Sequence, residues 1–246
     1  MNNKFENKVV LITGGGTGIG KATAEAFVGE GGKVVIVGRR QNVVQATTKE
    51  LGDKAQFVIG DISKVGEPKI IIDQVIAKNG QLDLLVNNAA AFTRGPLSET
   101  TDEEIERIYR TNVFALLALS REALPHLIKT KGSIINISSG AANTARAGGS
   151  IYASSKAAVN ALTRNLAAEF GPSGVRVNVI SPGVTVTEMS APMTSNEEMM
   201  TRIVKQTALG RIGLPSDIAK AILLIASDEA GWITGQIVQA SGGLTL

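Results

Sequence analysis

Tyr152 and Lys156 stand four residues apart at the start of a helical segment that runs to Phe170, so both side chains project from one face. A free phenol has a pKa of ~10 and is a poor acid and a worse base at neutrality. An ammonium beside it stabilises the phenolate, lowers that pKa and turns the pair into a general acid/base unit. The same spacing also arises from packing plus surface charge, so the pair takes its meaning from its surroundings. Ser138 and Ser139 close an apolar run in Asn136-Ile137-Ser138-Ser139. A hydroxyl there can hold an oxygen on which negative charge develops, or satisfy local backbone groups.

A second group of residues suits phosphate. Thr13-Gly14-Gly15-Gly16-Thr17-Gly18-Ile19-Gly20 follows an apolar run and leads into a helix. Glycines let the backbone approach a pyrophosphate, and the first N–H groups of the helix favour its charge. The stricter GxGxxG spacing fails, because Ile19 stands where the third glycine is required. The next apolar run ends Val37-Gly38-Arg39-Arg40. An NAD site would place an acid there to accept hydrogen bonds from the adenosine ribose. A guanidinium at Arg39, with Arg40 beside it, suits a 2'-phosphate instead, so NADP(H) is expected over NAD(H).

These groups need elements to hold them. Seven short β-branched runs, at 8–13, 33–38, 55–59, 82–86, 133–138, 176–180 and 236–240, alternate with segments of helical period. Between the first two, Ile19, Ala22, Ala26 and Phe27 recur at i, i+3, i+7 and i+8, which predicts a helix with one buried stripe. Strands separated by helices run parallel with right-handed crossovers. The expected architecture is therefore an α/β doubly wound (Rossmann) fold, a seven-stranded parallel sheet with helices on both faces. Such sheets bind ligands at the carboxyl ends of their strands, where the glycine loop and the serine pair fall. No linker, charge block or internal repeat interrupts the alternation, which predicts one dinucleotide-binding and catalytic domain over 1–246. The long interruption at 188–215 holds Met189, Met193, Met199 and Met200, four of the five methionines. It is expected to be a lid over the site, or a helical excursion whose methionines fill its own packing.

Composition narrows the function classes. At 43% apolar and 19% charged, the chain lies near the globular average. Its 25 basic and 22 acidic residues are interleaved, which reads as a solvated surface and not as a nucleic-acid groove. There is no cysteine for a disulfide or a thiolate site, and the single histidine, His126, has no second imidazole to share a metal with, so no metal is expected. The polar stretch 1–8 lacks a signal-peptide core and the longest apolar run, 113–119, is too short for a bilayer. No membrane is expected, and the cytoplasm is the expected location.

Taken in order along the chain, these residues resemble the short-chain dehydrogenase/reductases, whose cofactor loop has the spacing TGxxxGxG. The resemblance continues through Asp61, Asn87-Asn88-Ala89-Ala90, Asn112, Ser139, Tyr152 with Lys156, and Pro182-Gly183, and covers essentially the whole chain. It implies hydride transfer between a nicotinamide cofactor and a carbonyl or alcohol carbon of a small molecule. By the same resemblance, Asp61 and Ile62 border the adenine, Asn88 borders the nicotinamide ribose with Ala89 beside it, and Pro182, Gly183, Thr185 and Thr187 turn over the carboxamide. Thr185 would contact it through its backbone and Thr187 through its hydroxyl. The resemblance also selects Ser139 over Ser138 to orient the substrate oxygen and Tyr152 to protonate it. Lys156 would lower the tyrosine pKa and hold the ribose, and Asn112 would hold a water in a proton relay to the lysine. Two positions depart from the pattern: Ala90 replaces a usual glycine, and Ser241 a usual aspartate before Gly242-Gly243. A homotetramer or homodimer is implied, through long helices expected at 101–127 and 151–170.

Three readings follow. The first is an NADPH-dependent reductase of small or hydrophobic ketones and aldehydes, with the methionine-bearing segment as its adaptable wall. The second is a 3-oxoacyl thioester reductase acting on an acidic acyl carrier protein, for which Arg146, Arg202, Lys205 and Arg211 would form a basic rim diluted by Glu188, Glu197 and Glu198. The third is a non-catalytic NADP(H)-sensing module on the same fold, against which intact Ser139, Tyr152 and Lys156 argue.

Overall fold

The first strand shows why the sheet is covered on both sides. All five residues of β1 (Val9–Thr13) are buried; Val9 and Leu11 pack into one apolar cluster while Val10 and Ile12 pack into another. The computed structural model describes residues 3–244; Met1, Asn2, Thr245 and Leu246, included in the expected 1–246 unit, lie outside the described residues. The other strands are β2 (Lys33–Gly38), β3 (Ala55–Ile59), β4 (Leu84–Asn87), β5 (Ser133–Ile137), β6 (Arg176–Pro182) and β7 (Ile237–Ala240). They form one parallel sheet in the order β3-β2-β1-β4-β5-β6-β7.

The helices are α1 (Gly18–Gly29), α2 (Gln41–Leu51), α3 (Glu67–Asn79), α4 (Asp102–Tyr109), α5 (Ala115–Thr130), α6 (Ser150–Phe170), α7 (Ala191–Thr194), α8 (Glu197–Lys205) and α9 (Pro215–Ala226). On one face α1, α2 and α9 bring Phe27, Val44, Ile218 and Ile222 against Val10 and Ile12. On the other, α3, α5 and α6 bring Ile71, Leu119, Leu127 and Ala167 against Val9 and Leu11. This is the expected doubly wound fold. Strand order reverses between β1 and β4, so the loops leaving their carboxyl ends diverge to opposite faces and open a crevice between them. Among the described residues, no helix is long and apolar enough to cross a membrane.

Strand ends shift from the sequence pattern by one or two residues, and three differences have a visible cause or consequence. The buried stripe of α1 is Gly20, Thr23, Ala24 and Phe27, so Ile19, Ala22 and Ala26 flank it half-buried. Gly20 causes the rotation: a Cβ there would stand 2.2 Å from the Gly14 carbonyl oxygen, so only glycine lets the helix close on its own entry loop. The expected helix over 101–127 is present and unbroken from 102 to 130, but a π turn, Arg110–Phe114, lies within it between α4 and α5. Finally, the fourth strand starts at Leu84 and not at 82. The Asp83 carboxylate just before it accepts the Val9 N–H at 2.8 Å and the Gln81 amide at 2.8 Å, and lies 3.6 Å from the Lys8 ammonium.

Asp83 is buried at the end of the sheet opposite the crevice. Asp83→Ala leaves the Val9 N–H without its acceptor and should lower stability by about 1–3 kcal/mol. A urea unfolding midpoint unchanged from the parent's would show that the bond carries no net stability.

Candidate active site

At the carboxyl end of the sheet lies a crevice of about 710 Å³. Every residue expected to be catalytic or to hold the cofactor lines it except Gly20 and Asn112, which support it from behind. Its floor is the loop between β1 and α1. Gly14 takes φ +66°, and Gly14, Gly16 and Gly18 present bare backbone beside the first turn of α1. That cradle fits a pyrophosphate: the leading N–H groups of a helix have no partner inside it, and the dipole favours an anion there. Thr13, passed over in the sequence, fixes the cradle, since its hydroxyl accepts the N–H groups of Asn88 and Ala89 at 3.0 Å each. The Asn88 amide donates to the carbonyls of Thr13 at 2.9 Å and Gly14 at 3.3 Å, so this side chain holds the loop while lining the crevice.

At the β2 side, Arg39 is largely exposed and its guanidinium lies 3.9 Å from the Asp61 carboxylate. Burial works to raise the Asp61 pKa, but hydrogen bonds from the Ser63 hydroxyl and N–H, with Arg39 and Lys64 nearby, outweigh it and hold the carboxyl below its ordinary value. Ile62 is buried beside it. Arg40 donates across the mouth to Glu188 at 3.3 Å. Where β6 ends, Gly183 packs so closely on Ser241 that a Cβ would lie 2.8 Å from its Cα. The Thr185–Thr187 turn is knotted by Ser190, whose buried hydroxyl donates to the Thr185 carbonyl at 2.5 Å and accepts the Thr187 N–H at 3.0 Å. Thr-x-x-Ser after a Pro-Gly turn is the only signal that could have found Ser190. Of the four methionines at 188–215, Met189 and Met193 line the crevice, whereas Met199 and Met200 lie on α8 outside its lining.

Ser138, Ser139, Tyr152 and Lys156 meet where β5 runs out. The Ser138 hydroxyl turns inward and donates to the Lys156 carbonyl at 3.1 Å. Ser139 accepts the Ala141 N–H at 3.2 Å and neighbours the Tyr152 phenol. Lys156 is buried, and its ammonium donates to the Ile137 carbonyl at 2.8 Å and sits 5.9 Å from the centre of the Tyr152 ring. Burial lowers the lysine to about 8. Burial pushes the Tyr152 phenol up, and the Ser139 hydroxyl works against that shift. The sequence alone suggested a lowered phenol; among the chain's own groups desolvation is the larger effect. Phe92, with no signal in the sequence, meets the Tyr152 ring edge-on at 4.9 Å.

Asn112 lies in the π turn with its side chain committed. Its oxygen accepts the Ala91 N–H at 2.8 Å, and its amide donates to the Ala91 carbonyl at 2.9 Å and the Ser155 hydroxyl at 3.0 Å. It clamps the strap after β4 onto α6, one residue from Lys156.

The sequence profile of a family described as enoyl-(acyl carrier protein) reductase matches residues 14–245. The chain is 38% identical over 248 residues to an uncharacterized oxidoreductase of Methylorubrum extorquens, covering 98% of this chain and 99% of that relative. It is 34% identical to the 3-oxoacyl-(acyl-carrier-protein) reductase FabG of Haemophilus influenzae, with 98% and 100% covered. Among solved structures, a short-chain dehydrogenase/reductase, glucose/ribitol dehydrogenase, from Brucella melitensis superposes with a TM-score of 0.95 at 30% identity over 100% of both chains.

The buried lysine sets a pH dependence of stability. Its pKa falls from 10.5 to about 8 on folding, so below pH 8 the fold carries the whole cost of a desolvated ammonium, on the order of 3 kcal/mol. Between about 8 and 10.5 the unfolded chain binds the extra proton, and the cost declines as pH rises. Lys156→Met should therefore resist urea better than the parent at pH 7, with the gap closing towards pH 10.5. A gap that stays constant with pH would mean the ammonium is not desolvated.

Proposed function

This chain belongs to the short-chain dehydrogenase/reductase family, and from that premise we propose that it is an NADP(H)-dependent oxidoreductase that interconverts ketones or aldehydes with alcohols. The observation that carries the reading is the convergence of Ser139, Tyr152 and Lys156 on one crevice beside the glycine cradle. The bound nicotinamide would supply or accept the hydride. Gly14, Gly16, Thr17, Gly18 and Ile19 at the start of α1 would hold its pyrophosphate, Arg39 a 2'-phosphate, and Asp61 and Ile62 the adenine. Asn88, Ala89 and Lys156 would border the nicotinamide ribose, and Pro182, Gly183, Thr185 and Thr187 its carboxamide.

Tyr152 passes a proton to the substrate oxygen in reduction and takes it back in oxidation. Burial that raises the phenol keeps it protonated at neutral pH, which is the state a reduction requires. Ser139 donates a hydrogen bond to the same oxygen as charge builds on it. Lys156 places its ammonium beside the phenol and stabilises the phenolate left behind. Asn112 acts as a positioning residue, holding the strap and α6 in register. The segment 188–215 serves as a lid through Met189 and Met193. A 3-oxoacyl thioester substrate is the second reading, favoured by the FabG relative. One member of its expected basic rim is already neutralised, since Arg211 pairs with Asp217 at 2.6 Å.

Tyr152→Phe should lower carbonyl reduction by about 10²–10⁴-fold while leaving cofactor binding intact. Arg39→Ala should lower kcat/KM for NADPH by about 10–100-fold with little change for NADH. Both are read from NADPH and NADH consumption over a panel of ketones, aldehydes, acyl thioesters and sugars. An unaltered cofactor preference in Arg39→Ala refutes the arginine's role, and full activity in Tyr152→Phe refutes the mechanism.

A further inference from the structure

We infer that the substrate carries an anionic group, a carboxylate or a phosphate, which Arg94 and Arg146 hold at the far end of the crevice; this rests on the oxidoreductase reading above. Seven charged side chains line the crevice: Arg39, Arg40, Asp61, Arg94, Arg146, Lys156 and Glu188. Five of them are engaged. Arg39 faces Asp61 at 3.9 Å, Arg40 faces Glu188 at 3.3 Å, and Lys156 is bonded to the Ile137 carbonyl. Arg94 and Arg146 remain, and among the described residues neither guanidinium has an ion-pair or hydrogen-bond partner. Both side chains are exposed, so either can take up an anion without giving up a partner.

Their backbones are fixed in place and coupled. The strap carrying Arg94 is anchored residue by residue: Ala91 to Asn112, the Phe92 carbonyl to Arg107 at 3.2 Å, and the Thr93 hydroxyl to Glu104. The next residue, Gly95, donates to the Gly148 carbonyl at 3.0 Å, in the loop that carries Arg146. That contact requires glycine at 148, where φ is +75° and a Cβ would stand 3.2 Å from the Gly95 oxygen. The Arg146 carbonyl in turn accepts the Gly149 N–H at 3.0 Å, directly before α6. Two residues before Arg94, the Phe92 ring packs on Tyr152, and six residues after Arg146 comes Tyr152 itself. One bonded platform thus carries both arginines beside Tyr152, among the residues that line the crevice. Their planar forks match the paired oxygens of a carboxylate or phosphate. The same crevice is also lined by Met189 and Met193, which suits an apolar part of the substrate beside its anion.

The test compares matched pairs as substrates with NADPH: 2-, 3-, 4- and 5-oxo acids against their methyl esters, and dihydroxyacetone phosphate against dihydroxyacetone. In at least one pair the anion should exceed its neutral partner in kcat/KM by about tenfold or more, the worth of a charge-assisted hydrogen bond. The winning arm separates carboxylate from phosphate. Arg94→Gln and Arg146→Gln should each collapse that ratio about tenfold, and lysine at either position should restore part of it. Neutral partners equal or superior in every pair, or a ratio unmoved by both variants, would overturn the inference while leaving the oxidoreductase reading intact. Absence of turnover with every compound would count against the oxidoreductase reading instead. Calorimetric titration of the same pairs into Tyr152→Phe protein with NADPH then decides the anion site alone: selective binding of an anion, lost in the glutamine variants, supports it, and equal or no binding overturns it.

Discussion

The hydrogen bond from the buried Lys156 ammonium to the Ile137 carbonyl is the constraint that fixes where α6 places its side chains at the crevice. An unpaired ammonium could not stay in that position, because desolvating it costs several kcal/mol. The bond ties the first turns of α6 to the last residue of β5. Once it forms, the helix's rotation is set, and with it the direction of Tyr152 one turn earlier. Ser139, two residues beyond Ile137, then meets the phenol. The lowered lysine and the raised tyrosine express one cause: both groups were taken out of water to stand side by side.

Around that bond the structure uses polar side chains as clamps. Asn112 grips both backbone groups of Ala91 and reaches Ser155, so the strap after β4 and the helix carrying the lysine are locked to one another. Thr13 does the same for the glycine cradle and Asn88, and Ser190 for the turn after β6. Each clamp satisfies backbone groups that no helix or strand ladder would otherwise reach. The mouth stays open where strands end and helices begin, while its walls are held at defined positions.

Charge distribution follows the same division. Within the crevice the charged residues after β2 are paired, Arg39 with Asp61 and Arg40 with Glu188, but exposed enough for the pairs to be exchanged for a ligand at little cost. The departures at Ala90 and Ser241 both fall on the crevice lining, and Ser241 is in contact with Gly183. Neither removes Ser139, Tyr152 or Lys156 from the crevice.

The fold and the shared face of Tyr152 and Lys156 were legible in the residues because they depend on short-range order. A period of two or of 3.6 follows from backbone geometry, and two side chains four apart on one helix share a face wherever that helix goes. The glycine loop after the first strand and the basic residues after the second were legible for the same reason. Choosing between Ser138 and Ser139 required the tertiary structure, or the family resemblance in its place, since only the approach of α6 decides which hydroxyl is buried. The clamp role of Asn112, the contact of Phe92 with Tyr152 and the glycine-to-glycine bond that brings Arg94 and Arg146 to one recess were not legible. These depend on hydrogen bonds and ring contacts between residues 21 to 60 positions apart, and a linear sequence carries no term for such pairings until the sheet has brought their loops together.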